Sequence, residues 1–334
     1  MELNIFKKLF FLTLITFHLP CAFAQEAEVC VYKDEHGVIN QVSNKQDIPA
    51  NYRTQAKCLT QGQNSYLAEP EKVSLGNNVR EENFQSSLGK ISLRWPRSAE
   101  TIFNRSPLRA VNDAVETIAR AVKTAAFPSF VQQMNADWKI VFIDQSSPAV
   151  EIPSSLIKNC HPGWMTPPAN IYIVANIIGG SCENEVKSKG VTDADLTRVL
   201  LHEFGHVVEL QLLRDAMAGD KLRAEGFATW FELFSSKFSS IVRERELRAE
   251  NISLAKQTLT KGAAFKFQGT APDYARAALY FDALASKKGI SALMQIYRSI
   301  ALENLDFFQA VKEKSYWNRE QLEKEVSNII GDEK

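Results

Sequence analysis

The sequence carries no surplus charge, no closely spaced cysteine pair and very little histidine. Lys+Arg 39 balance Asp+Glu 39. That balance removes the electrostatic reason to expect nucleic acid or an anionic membrane as a partner. The cysteines, at 21, 30, 58, 160 and 182, include no Cys-x-x-Cys. A cysteine-based zinc site is therefore disfavoured. The five histidines stand at 18, 36, 161, 202 and 206. Two of them lie four residues apart around a glutamate. Hydrophobic residues make up 45% of the 334 positions, enough for a real core in one large domain or a medium domain plus a small one.

Long apolar runs are scarce too. "LFFLTLITFHLP", residues 9–20, is shorter than the ~20 residues that cross a bilayer. It follows Lys7 and Lys8 and precedes "CAFA", with Ala22 and Ala24 suited to cleavage before Gln25. Residues 1–24 thus read as a signal peptide, with an uncleaved anchor as the alternative. Export to the periplasm or medium is the expectation, with no stable membrane insertion afterwards. Loss of Cys21 would leave four cysteines in an oxidising compartment, which suggests two disulfides. Proximity along the chain favours Cys30–Cys58 and Cys160–Cys182.

The organisation follows from composition. In residues 25–60, "VCVY" and "GVINQV" flank the turn signal "KDEHG", as in a small β-hairpin domain closed by a disulfide. Residues 61–90 are polar, without a hydrophobic period, and read as a linker. The main domain, 91–334, begins with strand-like "ISLRW". A helical pattern follows through Leu108, Val111, Val115, Ile118 and Val122. "WKIVFID" and "NIYIVANI" read as strands, and "VTDADLTRVLLHEFGHVVELQLL" as a long helix capped by Thr192. Almost everything after Glu225 is helical. The fold class is α+β: a small mixed sheet, a motif helix, then an all-helical half.

The chemistry lies in that motif helix. His202 and His206 share one helix face and can converge on one ion. Imidazole suits zinc, which takes four ligands in a tetrahedron. Glu203, one residue round the helix, can accept the proton of a water activated by the ion. Two histidines do not fill a zinc site. Glu225, in "AEGFATWFE", supplies a third ligand on a second helix that Asp220 can cap, and one position stays open. Glu232, seven residues on, lies on the same helix face. It is either a hydrogen-bond acceptor for a ligand histidine or a solvated charge. His161 reads as a surface or loop residue, Arg198 as a surface cap, and Trp230, Phe231 and Phe234 as core.

His-Glu-x-x-His, eighteen residues, then Glu within "EGFATWFE" resembles the gluzincin metallopeptidases, and the aminopeptidase N group in particular. The resemblance implies a zincin-like fold, one Zn²⁺ held by His202, His206 and Glu225, and peptide hydrolysis with Glu203 as general base. "DYARAALYFDALASKKG" resembles the segment that carries that group's catalytic tyrosine. Aligned on Gly289, it makes Tyr274 the oxyanion donor; Tyr280 and Tyr297 lie nearby. Ala224 replaces an asparagine common in the group. Thr166, in "GWMTPPANIYIV", stands where the group has an acid that recognises a free N-terminus. An endopeptidase is therefore favoured over an aminopeptidase. The strand around Ile171, Tyr172 and Ile173 is expected to pair with an extended peptide or protein substrate along an exposed edge. Residues 29–60 also resemble a small domain of unknown function on exported bacterial proteins, through Tyr32, Asp34, Gly37 and Pro49. The competing reading is a non-catalytic envelope binding protein that keeps the fold. Retention of Glu203 argues against it, because a structural zinc site has no use for a base.

Overall fold

The computed structural model describes residues 28–33, 39–42, 46, 48–54, 57–60, 78–124, 127–128, 131, 137–144, 161–167, 169–178, 191–213, 220–259 and 265–331. The expected signal peptide, Asp34, Gly37, Cys160 and Cys182 lie outside these residues. The chain divides into two compact units, Met1–Tyr66 and Leu67–Lys334.

The first unit holds three strands: β1 (Glu28–Lys33), β2 (Ile39–Val42) and β3 (Lys57–Thr60). They form an antiparallel sheet in the order β2-β1-β3, so the expected hairpin gains a third strand. Cys30 and Cys58 are directly opposed in the β1–β3 register.

The second unit opens with a five-stranded sheet. β4 (Val79–Ser86) and β5 (Gly89–Pro96) form a hairpin. β6 (Trp138–Ile143) and β8 (Asn170–Val174) continue parallel to β5, and β7 (Gly163–Thr166) closes the sheet antiparallel to β8. The order is β4-β5-β6-β8-β7. Residues 79–86, read as linker, thus belong to the sheet. As an outer strand with mostly exposed side chains, β4 needs no hydrophobic alternation. β5 alternates as a half-buried strand should: Ile91, Leu93 and Trp95 enter the core.

Two helices, α1 (Arg97–Phe103) and α2 (Leu108–Thr124), connect β5 to β6. α2 buries Val111, Val115, Ile118 and Val122, the face its periodicity marks. One turn, α3 (Ala175–Ile178), ends the segment expected to be all strand. Then come α4 (Asp193–Leu213), α5 (Lys221–Ser236), α6 (Glu244–Lys256), α7 (Ala271–Lys288), α8 (Ile290–Glu303), α9 (Phe307–Ser315) and α10 (Arg319–Gly331). One core runs from the inner sheet face through α2 and α4 into this helical half; Trp138, Phe204, Phe227, Trp230, Phe231 and Phe281 all lie in it. No described helix is long and apolar enough to cross a membrane.

Candidate metal centre

α4 starts at a reciprocal cap. The Asp195 N–H donates to the Thr192 hydroxyl at 3.2 Å, and the Thr192 N–H donates to the Asp195 carboxylate at 2.8 Å. Leu196, Leu200, Phe204 and Val207 fix one face in the core. α5 starts at Asp220, whose carboxylate accepts from the Arg223 N–H at 3.0 Å. Glu225 falls in the second turn. The two helices approach closely because Gly205 has no side chain: a Cβ there would stand 2.8 Å from Ala228 Cα. α7 approaches α5 in the same way at Gly226, where a Cβ would meet Phe281 Cε2 at 2.8 Å and Ala277 Cβ at 2.9 Å. Two glycines therefore set the spacing of the three helices that carry the site.

At that junction His202 Nε2 lies 3.4 Å, and His206 Nε2 3.5 Å, from Glu225 Oε2. All three ligand atoms fall within 4.8 Å of one another. With zinc bonds of ~2.0–2.1 Å, the edge of a coordination tetrahedron is about 3.3–3.4 Å. The donor set and spacing fit zinc. The three side chains keep 17–22% exposure, so one side of the cluster faces solvent. The electrostatics also favour a cation. Burial would lower the His206 pKa, yet the hydrogen bond and charge of Glu225, with Glu203 and Glu209 behind, push it up to about 9. Burial would raise Glu225, but hydrogen bonds from both histidines hold it well below the usual carboxylate range.

Glu203 is 4% exposed. Its Oε1 stands 2.8 Å from where a Cβ of Gly163 would be, so the absent side chain makes room for the carboxylate against β7. Oε2 is buried and finds no hydrogen-bond partner among the described residues. A buried unpaired oxygen is costly; beside a metal triad it is available to a water. Burial, resisted by His206 and His202, raises the Glu203 pKa above the ordinary carboxylate value, which makes it a stronger base.

Of the three nearby tyrosines, Tyr274 alone faces the histidines. Its ring lies parallel to that of His202, at 6.4 Å and 15°. Tyr280 donates to Glu323, and Tyr297 donates to Glu209 at 2.8 Å. Burial first, then the charges of Glu225 and Glu203, hold the Tyr274 phenol far above its ordinary pKa, so it remains a neutral donor.

Glu232 approaches His202 Nδ1 only to 3.9 Å, beyond hydrogen-bond reach. Its other oxygen accepts from Arg198 Nε at 2.9 Å, and Arg198 also binds Glu250 at 2.8 and 3.1 Å. Arg198 is thus a brace across α4, α5 and α6, not a cap. The substrate-strand expectation is corrected. Ile171, Tyr172 and Ile173 lie in β8, paired on both sides by β6 and β7. On that side of the sheet the outer strand among the described residues is β7, which packs beside α4.

Two features escaped the sequence. His161 is no isolated loop residue: the Tyr274 hydroxyl stands 3.4 Å from each of its ring nitrogens. Glu209, below His206, accepts from Arg223 Nε at 3.0 Å as well as from Tyr297. A glutamate amid the apolar "HVVELQLL" was the available signal.

No protein-family model matches this chain, and no curated protein matches it. Among solved structures it is similar to an M1 zinc metallopeptidase from Deinococcus radiodurans, at 15% identity and TM-score 0.42, over 75% of this chain and 51% of that one. A mutant of that metallopeptidase bound to a Tyr-Ser-Ala substrate gives 14% identity and TM-score 0.43, with the same coverage. The chain therefore spans about half the length of these structures. The overlap is too loose to transfer any residue's role.

Proposed function

We propose that this chain is a zinc-dependent peptidase. One observation carries the reading: His202 and His206 each present Nε2 to Glu225 Oε2 at the spacing of a tetrahedral edge, with all three ligand atoms within 4.8 Å of one another, beside the buried, unpartnered Oε2 of Glu203. Zinc, when bound, supplies a Lewis acid that polarises a carbonyl and lowers the pKa of water towards neutrality. Glu203 takes a proton from the attacking water and delivers it to the leaving amine. Tyr274, kept protonated, donates to the oxyanion that develops on the substrate. An extended peptide adds to the outer edge of β7, which runs alongside the helix bearing Glu203.

The same reading favours an endopeptidase. β7 reads Gly163, Trp164, Met165 and Thr166, with no carboxylate to hold a substrate's ammonium group. It also carries export and two disulfides. The Cys30–Cys58 pair is supported by register, since opposed residues of antiparallel strands have Cα atoms ~4.5–5.5 Å apart, inside the disulfide range.

The test is a fluorogenic peptide library offered to the zinc-loaded chain, with and without chelator. Cleavage that chelator abolishes and zinc restores supports the reading. Silence at one bound zinc per chain favours the non-catalytic envelope protein, and failure to bind zinc removes both.

A further inference from the structure

His161 sits three residues before β7's second position, outside the metal triad, and the mechanism above makes no use of it. Its ring meets Tyr274 edge-on, with centroids 5.5 Å apart at 69°. The Tyr274 hydroxyl is equidistant, at 3.4 Å, from Nδ1 and Nε2. It is therefore in line with neither ring N–H, and rotation of the imidazole about its Cβ–Cγ bond is what brings one nitrogen into a full hydrogen bond with it. Such bonds are often long before substrate arrives. The phenol ring itself is held: Phe267 stacks on it at 5.6 Å and 8°, and His202 lies parallel at 6.4 Å and 15°. What remains free is the direction of the O–H about the C–O bond.

We propose that His161 is a positioning residue whose ring N–H donates to the Tyr274 oxygen, turning the phenolic hydrogen towards the site where the substrate oxyanion develops. The inference rests on the peptidase reading. Half-burial supports a neutral ring, which has one N–H to give. The hydroxyl oxygen accepts from His161 while its own hydrogen stays available. The reverse arrangement, with Tyr274 donating to His161, would withdraw that hydrogen from the reaction.

The experiment uses the zinc-loaded full chain and a phosphinic peptide, a stable tetrahedral anion that mimics the addition geometry. His161→Phe, which keeps a ring but has no donor, is compared with His161→Gln, Tyr274→Phe and the His161→Phe/Tyr274→Phe double variant. Zinc affinity is measured first and stays unchanged in all four. His161→Phe then weakens phosphinate binding about three- to ten-fold, the range of one neutral hydrogen bond. His161→Gln, which restores an N–H, recovers part of the loss. In the double variant the His161 change adds nothing to Tyr274→Phe, because it acts only through the phenol.

Additive losses would overturn the proposal by giving His161 an independent role. So would unchanged binding, tighter binding by His161→Phe, or loss of zinc, which would make it a ligand. Failure of the wild-type chain to bind phosphinate at full zinc occupancy would instead remove the peptidase reading, and this inference with it.

Discussion

A methyl group added at Gly205 tests how the metal site is built. The two histidines lie on α4 and Glu225 on α5, and these helices touch at Gly205 and Ala228. A Cβ at 205 would stand 2.8 Å from Ala228 Cα, 3.1 Å from its carbonyl oxygen and 3.3 Å from its Cβ. Carbon atoms prefer separations of ~3.5–4.0 Å, so roughly 0.7 Å or more has to be found. Two of the three obstructing atoms are backbone, and they yield only if the helices part. Helix propensity opposes the clash, since alanine is better than glycine by about 1 kcal/mol in a helix interior. Overpacking costs about 1–3 kcal/mol, and backbone obstruction puts this site at the upper end. The net loss for Gly205→Ala is about 2 kcal/mol, or a Tm lower by roughly 3 °C at this chain length. Metal affinity is the sharper readout. Zinc sites tolerate ligand displacements of ~0.2 Å, less than the parting required. Zinc affinity, measured by competition with a chromophoric chelator, should fall about 10–100-fold, as when a ligand's support is lost. Gly331→Ala, with nothing within 4 Å of its Cβ, is the control. A Gly205→Ala chain with raised Tm and unchanged zinc affinity would refute the reasoning.

Other substitutions probe the remaining parts. Glu203→Gln should keep its zinc and lose about 10²–10⁴-fold in peptide turnover, measured on any substrate the library yields. Glu232→Gln should lower zinc affinity by no more than about tenfold, because its 3.9 Å approach to His202 is weak support; a hundredfold loss would show that zinc binding draws the two together. Arg223→Met strands the buried Glu209 carboxylate and should cost about 3–5 kcal/mol in denaturant unfolding. Burial first, against the charge of Arg223, raises the folded-state pKa of Glu209 above its unfolded value. Its contribution to stability is therefore greatest below pH ~4.3 and is lost as pH rises through the folded pKa. The Arg223→Met deficit should accordingly be largest at neutral pH and shrink on acidification. Non-reducing peptide mapping of the exported chain should recover Cys30 joined to Cys58, and recovery of either as a free thiol would contradict the pairing.

Much of the site was legible because it is local. His202 and His206 are fixed on one face by helix geometry, and Glu225 opens the largely apolar, helical run "EGFATWFELF" that follows. Gly205 was visible but mute, since its meaning depends on which residue of α5 lies opposite. The strand order was harder. After Asn170 "NIYIV" has no polar/apolar alternation, and every residue of β8 is buried, which is the mark of a strand covered on both faces. Expecting it at the edge passed over that signal. β4 failed for the opposite reason: an outer, solvated strand has no apolar face to display. His161, just before β7, meets Tyr274 of α7 across 113 residues of chain, and nothing local encodes that meeting. Glu232 shows the limit of helical spacing. Seven residues from Glu225 put it on the right face, yet Arg198 holds it by its other oxygen and leaves the approach to His202 long.

The central claim is that three ligands and a base act together. The most direct measurement takes zinc stoichiometry and peptide-library turnover on the same samples of wild type, Glu203→Gln and Glu225→Ala. The account predicts one zinc and chelator-sensitive cleavage for wild type, one zinc and no cleavage for Glu203→Gln, and neither at matched free zinc for Glu225→Ala. Full turnover by Glu203→Gln, or a full equivalent of tightly bound zinc in Glu225→Ala, would contradict it.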